Sequence, residues 1–544
     1  MQTFPTDVPC GDPPTIALNA LGLLPGAHKK ATVPAGEERF AVRRASDGAT
    51  VFEGECSAVA DVAEADGGGA VRVADFSEVR EAGTYFLEFS GGTRSAVFEI
   101  SETAWNAPYK LVTRAMYLWR CGCGVSGVWK GETYAHGPCH LEDGYLDHAG
   151  GPAGARRPSH GGWHDAGDYN KYTVNAGVTV GLMFKAWEHF PERIGPVGLE
   201  LPESGNGVPD LLNELRYELD WLLTMPFDDG RVSHKISAPD FSYFGPPDHD
   251  PDRRYFCPWG TAATATFVAM AALAARHFRP IDAEFAGRCL AAARKSWGVL
   301  LAHPERVDAD QSAFKTGPYG TVETSHRLWA AAELWETGGE PEVLAWFERN
   351  AAATEFTFHG PMWQEVTDLA LGTYLESSRT DARHPALVER LEASLARRAA
   401  EIVAEAERHP YGRPLGSAKE SWFWGDNGSV AAQTYLLHLQ DRRSPDPRLR
   451  GAAHDALSFL FGRNVHGRSY VTGLSYHPPE HPHDRRGGAW PGHLVGGPWP
   501  DARQWFDEQG DFRTNEIAIN WNASLIYALA AFVDPKGEFP ILAA

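Results

Sequence analysis

The chain has 544 residues, 43% of them apolar, and a formal net charge of −21; it can bury a sizeable core, and with no dense Lys/Arg block it is too acidic to suit a nucleic-acid backbone. No apolar run approaches the ~18 residues a bilayer span needs, and the opening MQTFPTDVPCGDPPTIALNA lacks a basic stretch followed by an apolar one. A cytoplasmic protein is therefore expected, or a secreted one if the sequence is a trimmed mature form. The seven cysteines, Cys10, Cys56, Cys121, Cys123, Cys139, Cys257 and Cys289, are odd in number and scattered, which suits a reducing compartment better than a disulfide framework.

Residues 1–102 break into short period-two segments, RFAVRRA, ATVFEGE, GAVRVADFS, GTYFLEFS and SAVFEIS, divided by SDG, DGGG, EAG and SGG. This spacing predicts a β-sandwich. From ETAWNAPYKLVTRAMYLWRC onward the period is helical. Amphipathic segments are expected at about 107–120, 173–191, 208–224, 261–277, 284–302, 324–336, 341–351, 362–376, 386–407, 427–439, 449–462 and 516–532. Twelve helices in one domain, 103–544, suggest a double ring of six inner and six outer. The Ala-rich TAATATFVAMAALAA belongs inside, because a helix apolar all round must be buried all round. Three long stretches, 121–171, 226–260 and 463–515, carry Gly, Pro, His, Asp and Trp with little periodicity and are expected to be functional loops. Many of the eighteen tryptophans suit core packing, and those in the loops suit flat platforms for sugar rings.

The first of these loops runs into GGWHDAGDYNKY, with Asp165 and Asp168 three residues apart. Paired carboxylates can orient and deprotonate a water; helix capping uses the same spacing. A third carboxyl, Glu516 in WFDEQGDFRTNEIAINWNASLIYALA, is expected at the start of an apolar helix. There Asn515 and apolar neighbours would keep it protonated, unless it serves only the helix dipole. A water-activating pair with a separate acid is the layout of an inverting glycosidase, where roughly 6.5–9.5 Å between base and acid leaves room for the water.

The segment WFDEQGDFRTNEIAINWNA fits the pattern aromatic-x-Asp-x4-aromatic-x3-Glu-x-Ala-x3-Asn-Ala, and SYVTGLSYHPPEHPHDR ends in His-x-Arg. Together with GGWHDAGDYNKY, and in this order, they resemble glycoside hydrolase family 9, once called cellulase family E. The resemblance covers roughly 104–544, and the sandwich before it is similar to the immunoglobulin-like domain of one branch. It implies an (α/α)6 barrel and an inverting hydrolase of β-1,4-linked glucan. Asp168 would be the general base, Asp165 its companion and Glu516 the general acid. His483 and Arg485 would contact sugar, and Trp424 in SWFWGDNGS would stand near substrate.

Cys121, Cys139, His140 and His164 offer two thiolates and two imidazoles, a set suited to tetrahedral Zn²⁺. The same branch of the family binds a structural zinc with a similar set, so a zinc clamp beside Asp165 is expected, with Cys123 and His136 as alternative ligands. Many family members also bind calcium through a Ser/Thr-Gly stretch followed by an acidic pair. Here TGPYGTVETSHRLWAAAELW has Ser325-His326 instead, which makes calcium doubtful, and Glu203, Asn206, Asp210 and Glu214 could equally be helix-capping groups. No organic cofactor is expected. The rival readings are an exo-acting glucosaminidase or cellobiosidase, since an acidic protein attracts cationic sugars, and a catalytically inactive carbohydrate-binding protein.

Overall fold

The computed structural model describes residues 15–540; Cys10 and the outermost ends of both expected domains lie outside them. The N-terminal part is a sandwich of β1 (Lys30–Pro34), β2 (Arg39–Arg44), β3 (Thr50–Glu55), β4 (Ala60–Asp61), β5 (Ala70–Asp75), β6 (Gly83–Phe89) and β7 (Phe98–Ile100). One antiparallel sheet has the order β1-β5-β4 and the other β3-β2-β6-β7. Alternation decides what is buried: Phe40 and Val42 of β2 and Tyr85, Leu87 and Phe89 of β6 point into one apolar core with Val33, Phe76 and Phe98. The segment KATVP, which forms β1, escapes the sequence pattern because its burial is continuous at Ala31, Thr32 and Val33.

The rest is helical, and it follows the expected segments closely. The long helices are α1 (Asn106–Leu118), α2 (Thr173–His189), α3 (Asp210–Leu222), α4 (Thr261–Phe278), α5 (Ala283–Ala302) and α6 (Glu323–Gly338). They continue with α7 (Pro341–Ala351), α8 (Thr367–Glu376), α9 (Pro385–Arg408), α10 (Asp426–Arg443), α11 (Pro447–Leu460) and α12 (Ile519–Ala530). Even-numbered helices pack against one another as an inner ring, and odd-numbered ones lie outside them. Composition drives this sorting. The helix α4 is buried along almost its whole length, whereas α9 buries one stripe, including Leu391, Leu395, Ile402 and Val403.

Two small β features lie in the loops. The stretch VSGVWKGETYAH forms a hairpin of β8 (Val125–Trp129) and β9 (Glu132–His136), turned by Lys130 and Gly131 with φ of 50° and 83°. A positive φ at both turn positions matches the strand twist. A three-stranded patch, β10 (Lys171–Tyr172), β11 (Lys235–Ser237) and β12 (Tyr255–Phe256), ties the first long loop to the second.

The sandwich is bonded to the barrel at several points. Thr32 Oγ1 donates to Pro410 O at 2.6 Å, and the Ala502 amide donates to Ala65 O at 2.8 Å. Asp66, 1% exposed, accepts from Trp422 Nε1 at 3.2 Å and lies 3.2 Å from His409 Nε2.

Candidate active site

The GGWHDAGDYNKY loop is held by its own backbone before any side chain acts. Cys121 N donates to Gly162 O at 2.7 Å and His164 N to Trp119 O at 2.9 Å, so the loop runs antiparallel to the end of α1. Trp163 is fixed from α3, its amide donating to Glu218 and its indole to Glu214. Buried Lys171 donates to the carbonyls of Ser159 and Gly161 and pairs with Asp143. Ile519, at the start of α12, donates to Asp165 O at 2.9 Å. The loop is thus a rigid shelf over the inner ring.

On that shelf the two aspartates differ. Asp165 is bonded at both oxygens: Asn175 Nδ2 donates to Oδ1 at 2.7 Å, and the Tyr319 hydroxyl donates to Oδ2. Asp168 receives Asn170 Nδ2 at 2.5 Å and the Tyr172 hydroxyl at 3.0 Å, both on Oδ2. Among the described residues no protein donor reaches its Oδ1. Burial and the charge of Asp168 push the Asp165 carboxyl well above the usual range, with the Tyr319 and Asn175 donors opposing.

Glu516 sits on an extended segment, φ −71° and ψ 151°, between a single helical turn at Phe512–Asn515 and α12. It precedes the helix, which begins at Ile519, and this corrects the expectation of a first-turn residue. The segment pairs in parallel with His483: His483 N donates to Asn515 O, and Gly496 N donates to Glu516 O, both at 2.8 Å. Burial, then Asp168, then Asp165 raise its carboxyl well above the glutamate range, while the Gly167 amide and Arg485 oppose. Asn515, which the sequence suggested as a neighbour that could raise it, is not among the groups that move it most. Its side chain instead donates to His481 O and Asp507 and accepts from Trp505.

The His-x-Arg strand passes directly behind the aspartates. Arg485 N donates to Gly167 O at 3.1 Å, and a Cβ on Gly167 would lie 2.3 Å from His483 O, so only glycine permits this approach. His483 Nδ1 bonds to the carbonyl of Gln509 at 2.7 Å, which makes Nδ1 the protonated nitrogen and leaves Nε2 as an acceptor. Burial lowers its pKa, in keeping with a neutral ring. Arg485 donates to Tyr243 O at 2.8 Å and lies over Phe241. Trp424 is 40% exposed and stands edge-on to Trp521. Its neighbour Gly425 packs against Trp521 beside Gly496, one peptide layer from Glu516.

Three contributors escape sequence reasoning. Tyr319 reaches Asp165 from 154 positions away, and its φ of +42° is a left-handed conformation unusual for tyrosine. Phe241 and Phe244 flank Arg485 and His483 on a loop whose aromatics carry no motif.

Cys121, Cys139, His140 and His164 come together, their ligand atoms all within 4.8 Å of one another. Cys121 Sγ is 3.9 Å from His140 Nδ1, and Cys139 Sγ is 3.7 Å from His164 Nε2. His140 Nε2 bonds to Asp250 at 3.1 Å, which orients the ring so that Nδ1 faces the sulfurs. Although burial opposes it, contacts with Cys139, Lys171 and Arg254 hold the Cys121 thiol well below its ordinary value. Two sulfurs and two imidazole nitrogens in one buried cluster fit a tetrahedral metal. Cys123 and His136 stand outside it: the His136 ring bonds to Gly137 O, and Cys123 lies beside Tyr217.

The calcium candidates have other partners. His326 is buried against Thr266, Glu203 and Glu214 pair with Arg120, and Asp210 accepts from Leu199 N and Ser204. Asn206 and Asn213 bond to each other.

The chain matches the glycosyl hydrolase family 9 model over residues 106–529 and the cellulase N-terminal ig-like domain over residues 12–94. It is 48% identical to Endoglucanase D of Acetivibrio thermocellus over 96% of this chain and 84% of that protein. Among solved structures, a metagenome-derived glycoside hydrolase family 9 endoglucanase is 33% identical, with a TM-score of 0.87 over 95% of this chain and 98% of that one. The zinc-binding triple mutant of a family 9 endoglucanase is 30% identical, with a TM-score of 0.87 over 94% of this chain and 100% of that one.

Proposed function

The chain belongs to glycosyl hydrolase family 9 and is a β-1,4-glucan hydrolase of the endoglucanase type, and we propose that Asp168, Asp165 and Glu516 are its catalytic groups. The observation that carries this reading is the asymmetry of the aspartates. Asp165 has both oxygens occupied, whereas Asp168 keeps Oδ1 free beside a raised Glu516.

In the reaction, Asp168 Oδ1 takes a proton from a water that attacks the anomeric carbon. A lone pair of Asp165 beyond those that Asn175 and Tyr319 occupy accepts the second water hydrogen and aligns the molecule. Glu516 gives its proton to the departing glycosidic oxygen, so that the bond breaks without releasing an alkoxide. His483 Nε2 accepts from a sugar hydroxyl, and Arg485 donates to another. Trp424, Phe241 and Phe244 offer flat faces to the rings on either side. Endoglucanase relatives of this similarity weigh against an exo-acting glucosaminidase and against an inactive binding protein.

Cys121, Cys139, His140 and His164 would hold a structural zinc. When bound, it would cross-link the end of α1, the 137–140 segment and the catalytic loop, and it takes no part in bond cleavage. The mechanism is tested by NMR of the first product from a soluble cello-oligosaccharide. The α anomer is expected; an initial β anomer would exclude direct attack by water.

A further inference from the structure

Tyr319 and Tyr172, which donate to the two aspartates, share a support that has no part in the bond-breaking steps. Tyr319 rides on FKTGPYG, residues 314–320, a segment with no regular secondary structure of its own. The strand β11 and its flanks tie that segment down. His234 Nε2 bonds to Pro318 O at 3.0 Å, Ser237 Oγ bonds to Thr316 Oγ1 at 2.6 Å, and Lys315 N donates to Pro239 O at 2.7 Å. In the middle of this seam Lys235 Nζ donates to Gly317 O at 2.9 Å and to Thr316 O at 3.4 Å. These two carbonyls lie just ahead of Tyr319, whose left-handed backbone, φ +42°, persists only where the surroundings over-determine it.

Lys235 differs from the other buried lysines of the barrel. It is fully buried and has no ion pair among the described residues, whereas Lys110 pairs with Glu200, Lys171 with Asp143 and Lys185 with Glu188. A buried charge without an ion pair costs stability, so stability alone does not account for a lysine here. Its charge is met by the two carbonyls and by two ring faces, Phe314 at 5.2 Å and Tyr172 at 5.5 Å. Burial lowers its pKa to about 8, with Cys257, Asp168 and Asp165 opposing, so the ammonium form prevails near pH 7.

Tyr172 lies opposite Lys235 in the β10–β11 ladder, its hydroxyl donates to Asp168 Oδ2 at 3.0 Å, and its ring packs 4.5 Å from that of Tyr319. One ammonium thus faces the ring of the phenol bonded to Asp168 and grips the backbone that carries the phenol bonded to Asp165. Asn175 alone would leave the Asp165 carboxylate free to pivot about its Oδ1 bond; the Tyr319 hydroxyl at Oδ2 fixes its plane. Granted catalysis by Asp165 and Asp168, on which this rests, we propose that Lys235 is a positioning residue for water activation, holding Tyr319 where its hydroxyl fixes Asp165. Without Lys235 the 314–320 segment shifts and the water loses its alignment. His483 and Arg485 stand on a different loop, so sugar contacts there persist.

Lys235→Met keeps the length of the side chain and removes its charge and both donors. Lys235→Met and Tyr319→Phe should each lower kcat on a soluble cello-oligosaccharide about tenfold while KM stays within about twofold. A crystal structure of Lys235→Met should show the Tyr319 hydroxyl off Asp165. Because both substitutions act through one hydroxyl, the double variant should fall no further than the lower single one, where independent effects would multiply to about a hundredfold. A merely structural lysine would lower the melting temperature without this non-additivity. Lys235→Gln is read in the same cycle if Lys235→Met does not fold. Unchanged kcat in the lysine variant, or a double variant near the product of the single losses, overturns the proposal. Asp168→Asn, run alongside, tells two failures apart. If it abolishes turnover while the cycle is additive, only the role of Lys235 falls; if it stays active, the aspartate assignment falls and takes this role with it.

Discussion

At the scale of single residues, chemistry is divided by which oxygen atoms are already spoken for. Glu516→Gln keeps the shape and removes the proton, so cleavage of unactivated oligosaccharides should fall by ~10²- to 10⁴-fold while binding persists, as initial-rate and titration measurements will show. Because burial first, and then the charges of Asp168 and Asp165, raise the Glu516 carboxyl, the acid form persists above the ordinary glutamate pKa of ~4.3. Activity should therefore hold above that pH and decline as pH rises through the raised value. A substrate with an aryl leaving group of low pKa should lose that alkaline limb. Asp168→Asn should abolish turnover on every substrate, and Asp165→Asn should leave a measurable remainder, because only Asp168 presents an unbonded oxygen. Equal losses in the two variants would contradict the division. The three carboxylates were legible from motif spacing. Tyr319 was not, because it acts through a hydroxyl 154 positions away and nothing local in GPYG announces a partner.

At the scale of elements, the cysteine–histidine cluster joins segments that share no regular secondary structure. His164 adjoins Asp165, and His140 reaches Asp250 on the loop that carries Phe241 and Phe244. Cys139→Ser should therefore lower bound zinc, measured by elemental analysis, together with activity and melting temperature. Hydrogen exchange should rise across 137–172 and 238–252 and stay unchanged in α4, which the core holds. Full activity and an unchanged melting temperature in a zinc-free Cys139→Ser protein would make the four residues ordinary packing. The twelve helices were legible because each keeps an apolar stripe or an apolar girth over ten or more residues. The β8–β9 hairpin was not. VSGVW and ETYAH are each five residues long, Gly127 interrupts the first, and the pair is set against α1 and against the 463–515 loop, where Trp129 bonds to Gly473 O and Tyr134 packs on Trp490. Glu516 was placed in the helix because NEIAINW continues an apolar period. The backbone instead spends 516–518 pairing with His483 and Val495 before it coils.

At the scale of the whole molecule, the sandwich touches the proposed substrate side of the barrel through Asp66, whose carboxylate receives the Trp422 indole two residues from Trp424. Asp66→Ala leaves that buried N–H unpaired, a loss of ~1–3 kcal/mol, and should lower the melting temperature of the intact chain and weaken binding of long oligosaccharides more than of cellobiose. Thermal unfolding and a chain-length series check both; equal weakening at every length would separate the sandwich from the cleft. Sequence patterning anticipated both architectures but not their docking, which joins polar contacts between distant residues to the packing of Leu21, Leu24 and Ala65 on the barrel core. The alternation of outer and inner helices also sets an order of events. Successive helices meet as neighbours in the chain, but the ring closes only when α12 packs on α1 and α2, through contacts such as Asn522 to Val112, 410 positions apart, and His189 to Tyr527, 338 apart. Contacts of such long range form late, after local hairpins have collapsed. Glu516 enters on the segment that leads into α12, so the proposed proton donor arrives with the closing stave. During synthesis, a chain still short of that point would hold the proposed water-activating pair on an open ring, without its proposed acid until α12 has left the ribosome.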